Sequence, residues 1–166
     1  MQVDPLLVLK KLASSYDIKC LRVAAPFAGL EDFDYGLRKA LDPQFEWQEF
    51  GKLLVQSTAE NVLTVTEDMF ELQYALFRIP DEPESVFLMG PWTNGTRTNE
   101  TSEWIRKHIG KQACEVVQNY YSSVRVVQDN RFISTISTIV GLMMPPDEYR
   151  VVEKCHTIPT ALSERL

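Results

Sequence analysis

The segment that most constrains the fold is an apolar stretch, residues 61–92, which holds three runs typical of β-strands. The runs 62–66, 71–79 and 85–89 are rich in β-branched and aromatic residues, and short polar links separate them. Three consecutive strands with short links predict an antiparallel meander at the centre of a sheet. Because side chains on both faces of the middle run are largely apolar, we expect helices on both sides of the sheet.

Helices are predicted before and after this meander. Asp4-Pro5 and Asp42-Pro43 each join a capping carboxylate to a proline suited to the first helical turn, and apolar residues at spacings of three and four follow. Two more helices are predicted around 104–109 and 113–120. The clearest helix begins at Asp129 and stops at Pro145-Pro146. We expect it to pack on the sheet through three apolar residues, Ile133, Ile136 and Val140.

The length of 166 residues, of which 45% are hydrophobic, predicts one domain with a sizeable core. The two prolines place its boundary at residue 146, so residues 1–146 are expected to form the domain and residues 147–166 a connector. Residues 149–155 are strand-like but have no obvious partner within the domain. They are therefore expected to be a dimer contact or a loosely held connector, with the connector slightly favoured.

Charge and apolar content limit the partners of this chain. The net charge of −6 comes from an acidic first half, and no basic stripe is visible, so this segment is not expected to bind nucleic acid by itself. No apolar run approaches the roughly 20 residues that a membrane helix needs, and no export signal is seen. Three widely spaced cysteines fit reduced thiols. The expected location is the cytoplasm.

The sequence shows no pattern typical of catalysis or of a cofactor. His108 and His156 lack a cysteine or carboxylate at a metal-ligand interval, and no serine or cysteine has a base at motif spacing. Glu67-Asp68 could be paired acids, but adjacent strand residues point to opposite faces, which favours a solvated turn. We therefore expect neither an enzyme, nor a metal, nor a cofactor.

Four residues are predicted to bind a ligand. Arg78 lies in the most strand-like run on the same side as Tyr74, where its guanidinium could clamp a carboxylate or phosphate, or could instead reach water from the strand end. Met89 and Trp92 lie at the apolar end of the meander. We expect Tyr74, Arg78, Met89 and Trp92 to share one cavity, with Arg78 facing an anionic group if the ligand is acidic.

Short segments of the chain resemble a known group of proteins. They are residues 33–38 (FDYGLR), 45–47 (FEW), 67–74 (EDMFELQY) and 88–92 (LMGPW), with 120–121 and 126–129 further on. These segments resemble the N-terminal sensory region of bacterial transcription regulators that end in an AraC-type helix-turn-helix domain. The resemblance implies a PAS- or GAF-like α+β fold, with a central antiparallel sheet, helices on both faces and a small-molecule cavity between sheet and helices.

The resemblance also implies a function. The DNA-binding part of such regulators has no counterpart here, so the chain is expected to be the sensory fragment of a longer regulator, binding a small-molecule effector of unknown identity and with a homodimer left open. The alternative is a protein-interaction or dimerisation module with a filled core. A cavity of a few hundred Å³ with polar groups pointing inward would favour the sensor.

Overall fold

A computed structural model describes residues 3–68, 70–95 and 110–155, together with residues 103, 106 and 107. The helix predicted around 104–109 rests on Trp104, Ile105 and Ile109, which lie outside this set. The helices are α1 (Pro5–Ser15), α2 (Leu37–Leu41), α3 (Trp47–Ser57), α4 (Lys111–Ser123) and α5 (Arg131–Gly141), with a 3₁₀ turn at Leu30–Asp32. The strands are β1 (Cys20–Val23), β2 (Val62–Glu67), β3 (Gln73–Arg78), β4 (Val86–Thr93), β5 (Arg125–Val126) and β6 (Arg150–Cys155).

Among the residues that the structure describes, the sheet has six strands, with β2, β3 and β4 as its antiparallel centre. β1 pairs antiparallel with the first half of β4, and β5 pairs parallel with its last two residues. β6 lies on the other side, beside β2. The predicted meander is confirmed. The expectation of an antiparallel sheet needs correction, because β5 and β6 make the sheet mixed.

The prediction that residues 149–155 lack a partner within the domain is wrong. β6 pairs in parallel with the whole of β2, from Val62↔Arg150 to Glu67↔Cys155. The side chain of Asn61 donates to Glu148 at 2.7 Å, and the Arg150 amide donates to the Asn61 carbonyl at 3.0 Å, which fixes the register. The sheet therefore continues past Pro145-Pro146, and residue 146 does not separate the domain from a loose connector. Residues after 155 are outside the described part.

Helices cover both faces of the sheet, as the apolar alternation predicts. We call the two sides the α1/α5 face and the α3 face, and the α+β class is confirmed. Along β3, Ala75 and Phe77 pack on the α1/α5 face, while Tyr74 and Leu76 pack on the α3 face. Leading members of the α1/α5 core are Leu9, Ala13, Leu63, Phe87, Met89, Trp92, Phe132, Ile136 and Val140.

Helix starts agree with the sequence at α1 and differ at α3. The Asp4 carboxylate accepts a hydrogen bond from the Leu6 amide at 3.0 Å, as its capping position predicts. Asp42 instead accepts from the Gln44 amide at 3.2 Å within a turn, and α3 begins later, at Trp47. The turn buries Phe45 in the core. None of the helices in the described part of the chain has the length and apolar content that a bilayer crossing requires.

We expect Ile136→Asp to unfold the domain. Ile136 lies on α5 with 1% of its surface exposed, and Phe132 and Val140 flank it on the same buried face. An unpaired buried carboxylate costs several kcal/mol, against a total stability of about 5–15 kcal/mol. Urea unfolding followed by circular dichroism measures the loss.

The matched control is Ser134→Asp, on the exposed side of the same helix, which should stay folded with nearly unchanged stability. A cooperative, native-like unfolding curve for Ile136→Asp would contradict the packing of α5 on the sheet.

Candidate functional site

The sheet separates the four residues that were predicted to share a cavity. Tyr74 packs on the α3 face, whereas Met89 and Trp92 pack on the α1/α5 face. On β3, Gln73 pairs with Trp92 and Ala75 pairs with Met89, so β4 uses one extra residue over this interval and bulges. The bulge brings Trp92 to the same face as Met89. The prediction of one shared cavity is therefore wrong.

Arg78 binds main-chain carbonyls of the protein itself. Its Nε and Nη2 donate to the Thr58 carbonyl at 3.0 and 2.7 Å, and its guanidinium also donates to the carbonyls of Val55 and Pro83. Two of these carbonyls, those of Val55 and Thr58, lie at the C-terminal end of α3, where the helix dipole favours a cation. Arg78 thus ties α3 and the β3–β4 turn to the sheet, and its predicted contact with an anionic ligand stays a prediction.

A different set of polar residues is buried on the α3 face. Asp34, Arg38 and Asp68, which we call the ionic cluster, have fully buried side chains. Arg38 lies in α2 and donates through Nη1 to Asp34 Oδ2 at 2.7 Å and through Nη2 to Asp68 Oδ2 at 3.0 Å. The Arg38 amide also donates to Asp34 Oδ2 at 3.1 Å. The cluster joins α2 to the end of β2.

The second carboxylate of the cluster also organises the β2–β3 link. Asp68 Oδ1 accepts from the amides of Phe70 and Leu72 at 2.9 and 3.1 Å. These bonds hold the turn around the carboxylate, which is 0% exposed. The expectation of a solvated turn at Glu67-Asp68 is wrong for Asp68, because its partners are turn amides and an arginine 30 residues away.

Burial and charge act against each other on the pKa values of the cluster. Burial works to lower the pKa of Arg38, but the charges of Asp68 and Asp34 hold it above its ordinary range. Burial raises the pKa of Asp68 to about 6, although Arg38 and the two turn amides oppose the rise. Arg38 therefore stays charged, and the Asp68 carboxylate titrates close to neutrality.

Two buried polar atoms beside the cluster have no hydrogen-bond partner among the described residues: Asp34 Oδ1 and the Tyr74 hydroxyl. Both side chains are essentially unexposed. Burial, and then the charge of Asp68, raise the pKa of Tyr74 well above its ordinary value, although the nearby Arg38 guanidinium opposes the rise, so its hydroxyl stays protonated. Unpaired buried polar atoms are uncommon in folded proteins, and they call for an explanation.

Aromatic rings surround this side of the cluster. Phe33 is their centre, with ring centroids 5.3 Å from Phe50, 5.5 Å from Tyr74 and 6.0 Å from Trp47. Phe45 adds a contact of 4.6 Å to Trp47. The Arg38 guanidinium lies 5.1 Å from the Phe33 ring centre and 5.8 Å from that of Phe70. The cluster is thus enclosed by π faces.

A small cavity adjoins these rings. It has a volume of about 130 Å³, and its lining includes Phe33, Leu88 and Gly90. Gly90 has a φ of +138° and lies so close to Tyr74 that a Cβ there would be 2.7 Å from the ring. The cavity and the Tyr74 ring therefore have two neighbours in common, Phe33 and Gly90. A second cavity of about 210 Å³ lies further along the α3 face, between α3 and Lys154.

Other candidate functional groups offer weaker support for a site. Within residues 3–68, 70–95 and 110–155, no cluster of three or more His, Cys, Asp or Glu side chains could hold a metal ion. His108, His156 and Trp104 are outside the described residues. Cys20 is a free thiol, and burial raises its pKa to about 11, which disfavours the reactive thiolate.

Comparisons with known proteins return no match among protein-family models, curated proteins or solved structures. The resemblance to sensory regions of AraC-type regulators therefore stays a prediction, and the site is assessed from its geometry.

We expect Arg38→Met to destabilise the domain by about 3–5 kcal/mol, since it leaves two buried carboxylates without their cation. Arg22→Met is the matched control, because Arg22 forms an ion pair with Glu82 in which both side chains are largely exposed. Such a pair contributes at most about 1 kcal/mol. Chemical denaturation of both variants measures the difference. Equal losses would contradict the burial of the Arg38 pairs.

The raised pKa of Asp68 predicts that the free energy of unfolding depends on pH. Its carboxyl binds a proton more tightly in the folded state, with a pKa of about 6 against an ordinary 3.8. The tighter proton binding of Asp68 therefore stabilises the folded state fully below about pH 4, and this stabilisation is lost as the pH rises through 6. Relative to Asp68→Asn, the free energy of unfolding of the wild type should fall by about 2 kcal/mol between pH 4 and 7.

The measurement is urea denaturation of both proteins across this pH range. Groups facing Asp68 are Arg38, which stays charged throughout, Tyr74, whose hydroxyl stays protonated in this range, and the amides of Phe70 and Leu72, which do not titrate. A stability difference that does not change with pH would show that the Asp68 pKa is not raised.

Proposed function

We propose that this chain is a sensory domain that binds a small-molecule effector on the α3 face, between the sheet and α2 to α4. The observation that carries the proposal is the pair of unpartnered buried atoms, Asp34 Oδ1 and the Tyr74 hydroxyl, beside the ionic cluster. Ligand pockets typically combine aromatic walls with a few convergent polar groups, and this face has both. A cavity of about 130 Å³ has Phe33 and Gly90 in common with the neighbours of Tyr74, and we infer that a ligand enters from it.

The resemblance stated from the sequence supports the same location. Two of its segments, 33–38 and 67–74, supply all four polar residues of the site: Asp34, Arg38, Asp68 and Tyr74. On this basis, the chain is the sensory part of a bacterial transcription regulator that acts in the cytoplasm. A part outside this chain binds DNA.

A route for the signal follows from the sheet. Asp68 comes directly after β2, and the last pair of the β2–β6 ladder is Glu67↔Cys155. A ligand that shifts Arg38 or Asp68 therefore acts beside the end of β6, from which the chain continues. The shift requires that the ligand has different affinities for two arrangements of the cluster.

The second candidate function is a protein-interaction module with a filled core. The observation in its favour is that both faces of the sheet are packed with apolar side chains, while Val151 on β6 is 42% exposed. Under this function, the outer side of β6 would add a strand from a partner.

Native mass spectrometry of the purified chain tests the first candidate. We expect a retained small molecule that is lost after denaturation, and Tyr74→Phe should abolish its retention. The Tyr74 hydroxyl makes no well-aligned hydrogen bond to a described residue, although it lies near the Arg38 guanidinium, so this variant should lose at most about 1 kcal/mol of stability.

Tyr149→Phe is the matched control. The Tyr149 hydroxyl donates to the Ser137 carbonyl at 2.8 Å, so its removal should cost about 1 kcal/mol and leave ligand retention unchanged. A chain that carries no small molecule, and forms a dimer or captures a peptide strand along β6, would support the second candidate instead.

A further inference from the structure

We propose that the effector carries a cationic group, a protonated amine, and that this group binds between Asp34 and Tyr74 at the ionic cluster. The inference rests on the proposed function and names the class of ligand for that site. Three observations carry it: the charge of the cluster, the kind of atoms left unpaired, and the aromatic rings around them.

The charge of the cluster is unbalanced. With all three groups ionised, two carboxylates face one guanidinium, and every one of these side chains is buried. Asp68 and Asp34 are both bonded to Arg38, so a single positive charge serves two negative ones. A buried charge is costly unless it is compensated. A cationic ligand group supplies the charge that balances the cluster.

The unpaired atoms accept hydrogen bonds. Asp34 Oδ1 is a carboxylate oxygen and accepts only, and the Tyr74 hydroxyl accepts as well as donates. An ammonium group has three donors and no acceptor, so it can bond to both atoms at once. An anionic group would bring a third negative charge to the cluster, and Arg38 already divides its donors between Asp34 and Asp68.

The rings of this face already hold one buried cation. The Arg38 guanidinium lies over Phe33 and Phe70. Tyr74 and Trp47 present two further rings next to Phe33. Aromatic faces attract cations, and the attraction is larger where water is excluded. An amine with an apolar body thus matches the charge, the acceptors and the walls of the site.

Isothermal titration with three probes of one shape tests this class: 2-phenylethylamine, the neutral 2-phenylethanol and the anionic phenylacetate. We expect the amine to bind at least about tenfold more tightly than the alcohol, and phenylacetate not to bind. Asp34→Asn should weaken amine binding by at least about tenfold, because it removes one negative charge and replaces an acceptor with a donor, while binding of the alcohol changes little.

Asp147→Asn is the matched control, because it makes the same change at an exposed position, and it should bind like the wild type. If Asp34→Asn fails to fold, Tyr74→Phe takes its place with the same expected loss of amine binding. The inference is overturned if the amine shows no saturable binding in the millimolar range, if phenylacetate binds as tightly, or if neither variant weakens amine binding.

The two proposals can fail separately. If native mass spectrometry finds a retained molecule without a cationic group, whose retention depends on Tyr74, the effector is not an amine and the proposed sensory function stands. If the chain retains nothing and the amine does not bind, both proposals fail.

Discussion

The arginine at the centre of the ionic cluster connects parts of the chain that are far apart in sequence. Arg38 holds Asp34, in the turn before α2, and Asp68, directly after β2, and Asp68 in turn shapes the link into β3. Buried ion pairs cost much desolvation and add little net stability over apolar packing. The main effect of the cluster is therefore to fix one arrangement of α2 on the sheet.

The two faces of the sheet differ in whether their cores include buried polar groups. The core of the α1/α5 face consists of apolar side chains, such as Phe77, Ile136 and Val140. The α3 face combines an apolar core with the ionic cluster and with Thr64, a buried threonine of β2. An apolar face suffices to hold a domain together. Under the proposed function, the α1/α5 face stabilises the domain and the α3 face binds the effector.

Local patterns in the sequence were enough to predict the meander, the capped start of α1 and the buried face of α5, because each depends on neighbouring residues. Non-local contacts explain the errors. The partner of β6 lies 88 residues earlier in the chain, at Val62↔Arg150, and the partner of Asp68 lies 30 residues away. The face of Trp92 depends on a bulge that alternation alone does not predict. One usable signal was missed, namely the four-residue spacing of Asp34 and Arg38, which places opposite charges one helical turn apart.

The position of Asp68 gives the cluster influence over the rest of the sheet. β2 is the only strand that pairs with both β3 and β6 among the described residues, and the cluster lies at its end. Under the proposed amine binding, a cation at Asp34 would compete with Arg38 for that carboxylate, and one positive charge would then face each carboxylate. The bonds from Asp68 to the turn amides would persist. The expected response is therefore a shift of α2 relative to the β2–β6 pair, with the sheet left intact.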